Sequence, residues 1–250
     1  VAVYRDHKTD QARILDVWSG LHEDGLYGLA IDLGSTTVAA HLTDLTTGEV
    51  VASAGVMNPQ IRFGEDLMSR VSYSMMNPGG GREMTLAVRD AINTLAEDIA
   101  QDAEIDPSLI FEVVFVCNPV MHHLLLGIDP VELGQAPFAL ATSESVTLQS
   151  FDLDLTNIAK SAQIYVLPCI AGHVGADAAA VALSEEPGKS DDLVLIVDVG
   201  TNAEIRCRAS GGYREVRRPA RVPWRRPEET QPVGNAAAGR PGRSEEHTSE

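Results

Sequence analysis

Two short segments of this 250-residue chain each combine a carboxylate, a glycine and hydroxyl groups within a few positions. The first is DLGSTT at 32–37 and the second is DVGTN at 198–202, and each follows apolar residues typical of a buried strand. Backbone N–H groups and hydroxyls at such turns can hold phosphate oxygens, while a carboxylate can hold Mg²⁺ through its waters. The pair therefore predicts a site for a nucleotide polyphosphate.

The residues of the two turns take different roles in this prediction. Asp32 and Asp198 are the candidate catalytic groups and the candidate Mg²⁺ ligands. The glycines allow the backbone to approach a ligand closely. The candidate nucleotide-binding residues are Gly34, Ser35, Thr36, Thr37, Gly200, Thr201 and Asn202.

The same pattern also fits two tight turns without a ligand, in which glycine supplies a positive φ and aspartate caps its own backbone. A single D-x-G-x-T favours that structural explanation. Two copies, each after an apolar strand and the first leading a set of hairpins, favour the nucleotide site. The chain contains no G-x-x-x-x-G-K-[ST], so a P-loop is excluded.

The elements that must position these turns follow from the apolar periodicity. Strands are predicted at 29–34, 37–42, 50–56, 113–116, 164–167 and 193–197. Helices are predicted in the second half of 58–70 and at 82–100, 121–126 and 175–183. Three strands with hairpins, followed by alternating helices and strands, are typical of the ribonuclease-H-like α/β fold, in which helices cover both faces of a mixed sheet. Residues 26–190 are then a first subdomain, and 191–205 begin a second, truncated one.

Charge divides the chain at about residue 205. Residues 1–205 contain 9 Lys and Arg against 30 Asp and Glu, a net charge of −21, whereas 206–250 contain 10 Arg against 6 acidic residues, a net charge of +4. An acidic body repels phosphate backbones, which argues against nucleic acid as a partner. No apolar run approaches the roughly 18 residues of a membrane span. Three scattered cysteines without a CxxC suit a reducing cytoplasm.

The two ends of the chain are expected to lie outside the fold. Residues 1–25 have no initiator Met or leader and are expected to be the end of an upstream domain or linker. The Arg- and Pro-rich end could be a disordered arm that binds RNA. Its last letters, RSEEHTSE, are however what a common sequencing adapter encodes. We therefore expect 206–250 to be a frameshift with adapter read-through, and disordered.

The paired DxGxT turns resemble those of the actin, Hsp70 and sugar-kinase (ASKHA) ATPases. The stretches around them are more closely similar to the reductive activators of corrinoid proteins. The resembling segments are GLAIDLGSTTVA (28–39), NPQIRFGEDLMSR (58–70), CNPVMHHLLLGIDP (117–130), PCIAGHVGADAAA (168–180) and DVGTNAEI (198–205). They cover nearly all of 26–205, and the second and third are specific beyond the general ATPase pattern.

This resemblance implies ATP and Mg²⁺ as cofactors and a corrinoid protein of a methyltransferase system as the partner, and it leaves room for a homodimer. Activators of this kind use ATP to drive one-electron reduction of Co(II) to Co(I) in the corrinoid. The electron comes from a [2Fe–2S] cluster in an upstream ferredoxin-like domain. The chain has no C-x₄-C-x₂-C cysteine set, and nothing after Ile205 matches the adenosine-binding segment. The resemblance thus implies that this chain alone is inactive.

Two alternatives stay open within the same fold. One is the ATPase that activates 2-hydroxyacyl-CoA dehydratases, which has a similar phosphate turn but holds a [4Fe–4S] cluster for which no cysteine pair is found here. The other is a small-molecule kinase with an acceptor pocket. A kinase predicts substrate-dependent phosphoryl transfer, whereas an activator hydrolyses ATP in response to its protein partner.

Other charged residues invite a functional interpretation. His173 and Asp177 flank the start of a predicted helix that faces the interdomain cleft in this fold, although Asp177 could simply favour the positive end of that helix. Arg62, Glu65 and Asp66 form a charged cluster in an activator-specific segment, which is either a solvated helix face or a docking site for a partner.

Adjacent histidines and scattered cysteines fit structural roles. His122 and His123 point in different directions on a helix, so we expect one in the core and one in solvent, and no shared metal. Cys117 and Cys169 are expected to pack as small apolar residues at strand ends.

Overall fold

Strands and helices alternate along the chain largely as the apolar periodicity predicts. The computed structural model describes residues 1–6, 10–185, 195–199, 202–209 and 212–219. The strands are β1 (Ala2–Arg5), β2 (Ala12–Asp16), β3 (Tyr27–Leu33), β4 (Thr37–Asp44), β5 (Val50–Met57), β6 (Ile110–Cys117), β7 (Val146–Gln149), β8 (Gln163–Val166), β9 (Leu195–Val199), β10 (Asn202–Ala209) and β11 (Gly212–Pro219). The α-helices are α1 (Leu67–Met76), α2 (Gly80–Asp102), α3 (Pro119–Leu126) and α4 (Ala176–Glu185), and short 3₁₀ helices occupy Pro59–Phe63, Pro107–Leu109, Val131–Gly134 and Ser150–Leu153.

Six strands form one mixed sheet in the order β5-β4-β3-β6-β8-β7. β3, β4 and β5 are joined as antiparallel hairpins, whereas β3, β6 and β8 run parallel to one another. β7 pairs with β8 in the antiparallel sense. The connections between the parallel strands contain helices, as parallel pairing requires. The predicted α/β class, a ribonuclease-H-like mixed sheet flanked by helices, is confirmed.

The hydrophobic core is formed largely between this sheet and α2, which packs on β4 and β5. Ile31 and Leu33 of β3 are buried, and Asp32 between them is exposed, because side chains alternate along a strand. α2 buries a stripe of residues three or four positions apart: Met84, Val88, Ile92, Leu95 and Ile99. Burying each such side chain contributes about 1.5–3 kcal/mol, so this contact fixes the strands that carry the turn after β3.

The helices extend further than the sequence predicts. α1 continues six residues beyond the predicted end at Arg70, and α2 starts two residues before the predicted start at Arg82. Pro78 and Gly79 separate the two helices, because proline has no N–H to donate and Gly79 adopts a φ of +87°. In the part of the chain that the structure describes, no helix is both long and apolar enough to cross a membrane.

Residues 1–25 contain structure that was not predicted for a linker. β1 and β2 pair as a two-stranded antiparallel sheet. The ring of Trp18 meets the ring of Phe111 in β6 edge-on, with centroids 5.7 Å apart, and stacks on His22 at 3.9 Å. Strands this short carry little periodicity, so their pairing could not be predicted from it. Their origin in an upstream domain stays a prediction.

β9, β10 and β11 form a separate three-stranded antiparallel sheet. β9 (Leu195–Val199) overlaps the strand predicted at 193–197, and the subdomain boundary at 191 stays a prediction. The disorder predicted for 206–250 does not hold for 206–209 and 212–219, which pair as strands. Composition suggested disorder, but backbone hydrogen bonds can form a hairpin with almost any side chains. Residues 220–250 lie outside the described residues, and the frameshift stays a prediction.

Candidate nucleotide-binding site

The first predicted turn lies where β3 ends beside the end of β6. Leu33 pairs with Val38 across the β3–β4 hairpin and with Cys117 on the parallel side. A Cβ atom added to Gly34 would lie 2.5 Å from the carbonyl oxygen of Thr37, closer than any side chain tolerates. The first glycine of the predicted motif is therefore required by the tightness of the turn itself.

The carbonyl groups of this turn accept hydrogen bonds from the protein interior. The Nδ2 group of Asn58 donates to the carbonyl oxygen of Gly34 at 2.8 Å, and the backbone N–H of Asn58 donates to Thr36 at 2.8 Å. The Nη2 group of Arg70 donates to the carbonyl oxygen of Ser35. Three consecutive carbonyls thus face inward.

This arrangement fixes the direction of the N–H groups. In a planar trans peptide, the N–H of each residue points opposite to the preceding C=O. The N–H groups of Ser35, Thr36 and Thr37 therefore point away from the buried side of the turn. Outward N–H groups beside the exposed carboxylate of Asp32 are a suitable arrangement for phosphate oxygens and a hydrated Mg²⁺ ion.

The start of α4 also lies against the end of β6. A Cβ atom added to Gly175 would lie 2.6 Å from both the carbonyl oxygen of Cys117 and the Cα atom of Asn118. Asp177 follows in the first turn of α4, and its Oδ1 atom accepts the N–H of Ala178 at 2.7 Å. Close backbone contact therefore sets where this helix begins.

Asp32 and Asp177 both lie near enough to the buried thiol of Cys117 to affect its pKa. The pKa of Cys117 is raised well above its usual range, first by burial and then by the nearby Cys169, Asp177 and Asp32. Burial likewise raises the pKa of Cys169 to about 11. Both cysteines are buried and unpaired, as predicted. The structure thus brings the predicted cleft residue Asp177 to the end of β6 where Asp32 lies.

The other predicted residues lie in different surroundings. His173 is exposed, and its ring packs 4.2 Å from that of Phe138. Arg62 is exposed with its guanidinium 4.6 Å above the ring of Phe63. Glu65 is exposed, and Asp66 caps α1 by accepting the N–H of Ser69 at 2.7 Å. None of these contacts tests the proposed docking role, which stays a prediction.

The second turn is described only in part. Asp198 lies in β9 opposite Glu204, and Asn202 begins β10 opposite Pro219. The side chains of Asp198 and Asn202, together with Gly200 and Thr201, lie outside the described residues. The meeting of the two turns around one nucleotide stays a prediction. Within the described ranges, no group of three or more His, Cys, Asp or Glu side chains could hold a metal ion.

Both adjacent histidines of α3 are buried, so the expectation that one is solvated is wrong. The Nε2 atom of His123 accepts the N–H of Ala141 at 3.1 Å, so its Nδ1–H donates to the carbonyl oxygen of Pro119 at 2.9 Å. Neither ring nitrogen of His122 has a hydrogen-bond partner among the described residues. Burial, and then the neighbouring His123, lower the pKa of His122 to about 4.

Sequence reasoning missed the residues behind the turn. Asn58, Gln60 and Arg70 are each fully buried although polar. Polar residues inside a segment specific to the activators were the available signal. The periodicity of 58–70 is too weak to show that these side chains point inward.

The chain with this geometry matches a known protein family. A family model described as the RACo middle region matches residues 27–188. The chain belongs to this family. The RACo middle region here covers both the turn after β3 and the start of α4, and all three buried polar residues behind the turn.

Two relatives are similar over most of the chain. The corrinoid activation enzyme RamQ of Eubacterium limosum is 33% identical over 194 residues, which are 77% of this chain and 32% of RamQ. A solved structure of a reductive activator for a corrinoid, iron-sulfur protein superposes with a TM-score of 0.77 and 29% identity, and the match covers 83% of this chain and 33% of that one. The chain therefore spans about a third of the length of each.

Proposed function

We propose that this RACo middle region binds Mg²⁺–ATP at the turn after β3 and serves an ATP-dependent reductive activator of corrinoid proteins. The observation that carries the proposal is the inward direction of the three carbonyls at Gly34, Ser35 and Thr36, which turns the following N–H groups outward. Similarity to two proteins named as corrinoid activators supports the reaction class.

Different residues of the turn bind the phosphates and the metal ion. The outward N–H groups of Ser35, Thr36 and Thr37 and their hydroxyls bind phosphate oxygens, as oriented backbone donors commonly do. Asp32 holds Mg²⁺ through coordinated water, together with Asp198 of the second turn. An exposed carboxylate at the end of a strand fits this role, because Mg²⁺ usually keeps several of its waters. Binding the metal and the phosphates together orients the γ-phosphoryl group for attack by water.

The overall reaction joins two events. ATP is hydrolysed to ADP and phosphate, and one electron passes to the corrinoid, whose Co(II) becomes Co(I). We propose that the electron comes from a [2Fe–2S] cluster held by residues other than those of this chain. ATP supplies the free energy for an electron transfer that is otherwise uphill, through a nucleotide-dependent change in the protein.

The proposed partner is a corrinoid protein of a methyltransferase system. The exposed Arg62 and Glu65, beside the cap residue Asp66, are candidate docking residues, and His173 and Asp177 are candidates for contact near the nucleotide. We place the activity in the cytoplasm, where the unpaired thiols of Cys117 and Cys169 stay reduced.

The test follows the absorbance change from Co(II) to Co(I) in the cognate corrinoid protein. The full-length protein that contains this chain is supplied with a reductant and with or without Mg²⁺–ATP. We expect reduction only with ATP, and ATP hydrolysis that accelerates when the corrinoid protein is added. Undiminished reduction without ATP would refute the coupling. Phosphoryl transfer to a small molecule without any corrinoid protein would instead favour the kinase.

A further inference from the structure

Arg70 of α1 is fully buried directly behind the turn after β3. Its Nε group donates to the carbonyl oxygen of Gly64 at 3.0 Å, and its Nη2 group donates to that of Ser35. Its Nη1 group lies 3.2 Å from both Oε1 of Gln60 and the sulfur of Met121. The planar guanidinium of Arg70 therefore links α1 to the 3₁₀ helix Pro59–Phe63, to α3 and to the turn after β3.

The four acceptors of Arg70 among the described residues are neutral. Burial lowers the pKa of Arg70 to about 10, against the opposite effect of the carboxylate of Asp66. A pKa near 10 keeps the guanidinium protonated at neutral pH. A positive charge is thus buried behind Ser35 with neutral groups as its hydrogen-bond partners, which is costly unless something else compensates for it.

A second buried arginine shows how the charge of a buried guanidinium is usually compensated. Arg89 of α2 donates twice to the carbonyl oxygen of Leu125, at 3.1 and 2.9 Å, much as Arg70 donates to backbone carbonyls. Its Nη1 group also forms an ion pair with the carboxylate of Asp154 at 2.9 Å. Arg89 donates directly to a carboxylate, whereas Arg70 has the carboxylate of Asp66 nearby and donates to neutral groups, among them the backbone of the turn.

We propose that Arg70 is a positioning residue for the phosphate turn, and that the anion matching its charge is the polyphosphate of the nucleotide. The inference rests on the proposed function. By holding the Ser35 carbonyl inward, Arg70 turns the N–H of Thr36 outward. Its charge, shielded from water, attracts the phosphates through the thin layer of backbone between them. Asn58 holds the carbonyls on either side, so the turn is set before the nucleotide arrives.

The first test examines the turn in the ligand-free chain. Arg70→Lys keeps the charge but replaces the planar fork of five donors by a compact ammonium, which does not span the acceptors that the guanidinium reaches. We expect the backbone N–H of Asn58, which donates to Thr36, to exchange with solvent about tenfold faster, while the N–H groups of β6 are little affected. Arg89→Lys is the matched control: it removes comparable bonds elsewhere, so exchange at Asn58 should match the wild type.

The second test examines the charge and keeps the guanidinium in place. Gln60→Glu puts a carboxylate beside Nη1 of Arg70, so the charge acquires a fixed partner. Magnesium tripolyphosphate and Mg²⁺–ATP are each titrated while the amide signals of 35–37 are followed by NMR. We expect about tenfold weaker binding of both. Gln60→Met is the control, because it also loses the donor to the Met84 carbonyl but adds no charge.

The outcomes separate the two proposals. Wild-type affinity in Gln60→Glu, together with unchanged exchange at Asn58 in Arg70→Lys, would overturn the positioning role. If the wild type binds neither probe, the proposed function fails, and so does the role of the polyphosphate as matching anion. Faster exchange at Asn58 in Arg70→Lys would then still support the claim that Arg70 fixes the turn after β3. Unchanged exchange would overturn that claim as well. If Arg70→Lys does not fold, Gln60→Glu and its control decide the charge.

Discussion

The turn after β3 and the start of α4 both lie beside the end of β6 and are held by different physical means. Polar side chains hold the turn: Asn58 and Arg70 donate hydrogen bonds to three of its carbonyls. Close backbone contact holds the helix start, where Gly175 leaves no room for a Cβ atom beside Cys117 and Asn118.

The difference matters because the two means of support control different properties. Hydrogen bonds to the carbonyls determine which way the N–H groups of the turn point, so they control what the turn can bind. Packing of the helix start determines only position, and it tolerates no added volume. Changes behind the turn should therefore alter ligand binding more than stability, and changes at the helix start should do the reverse.

The largest effect is expected from the carboxylates that face the metal. Asp32→Asn or Asp198→Asn keeps the shape but removes charge, and each should lower ATP turnover in the full-length protein by about 10²–10³, or about 3–4 kcal/mol. Co(II) reduction should fall in parallel. Asp177→Asn on the α4 side is the comparison, and we expect at most about a tenfold loss. Equal losses for Asp32 and Asp177 would erase the distinction between the two sides.

Gly175→Ala tests the close backbone packing at the start of α4. The new Cβ atom would lie 2.6 Å from two backbone atoms, which cannot move as a flexible side chain would. We expect the free energy of unfolding to fall by about 2 kcal/mol, measured by urea denaturation. Gly48→Ala is a useful control, because nothing lies within 4 Å of its added Cβ and only its φ of +78° opposes the change. A loss at Gly175 no larger than at Gly48 would contradict the packing argument.

Much of this arrangement could be predicted from the sequence. The periodicity of β3 and α2 is strong because each buries one regular face, so both elements and the α/β class were predicted from it. The turn was predicted as a nucleotide site because the same combination of carboxylate, glycine and hydroxyl residues occurs twice, each time after an apolar strand. Fold class and the candidate carboxylates therefore depended on local patterns alone.

The support behind the turn could not be predicted in this way. Arg70 lies 35 positions from Ser35 in the chain, and its contact depends on how α1 packs. The adjacent histidines gave a wrong prediction for a similar reason. Alternation on a helix predicts one buried and one solvated side chain, but α3 is covered on several sides, so both His122 and His123 are buried.

Asn58→Asp tests the hydrogen bonds that hold the carbonyls of the turn after β3. The aspartate keeps the oxygen that accepts the N–H of Gln60 at 2.9 Å but loses the donor to the Gly34 carbonyl, and it places two oxygens against each other. We expect a loss of about 1–2 kcal/mol in stability and a larger relative loss in Mg²⁺–ATP binding. Asn93→Asp is the matched control, since it loses one amide bond to the carbonyl of Asp154. Equal loss of binding in both variants would refute the role of the turn carbonyls.

The smallest effect is the pH dependence of stability that arises from His122 in α3. The pKa of His122 is about 4 in the folded chain, first because its ring is buried and then because His123 is near, whereas the unfolded chain binds a proton near pH 6.5. Between these values the unfolded state holds more protons, so stability falls as pH falls, by up to about 1.4 kcal/mol per pH unit.

His122→Leu should flatten this dependence, measured as the urea midpoint at pH 7.5, 6.5 and 5.5, and should cost little at pH 7.5 because no hydrogen bond is lost. His123→Leu is the contrasting variant. It removes the acceptor of the Ala141 N–H and the donor to Pro119, so it should destabilise the chain already at pH 7.5. An unchanged pH dependence in His122→Leu would show that other groups cause the acid sensitivity. A flattened one would assign the acid sensitivity of the fold to His122.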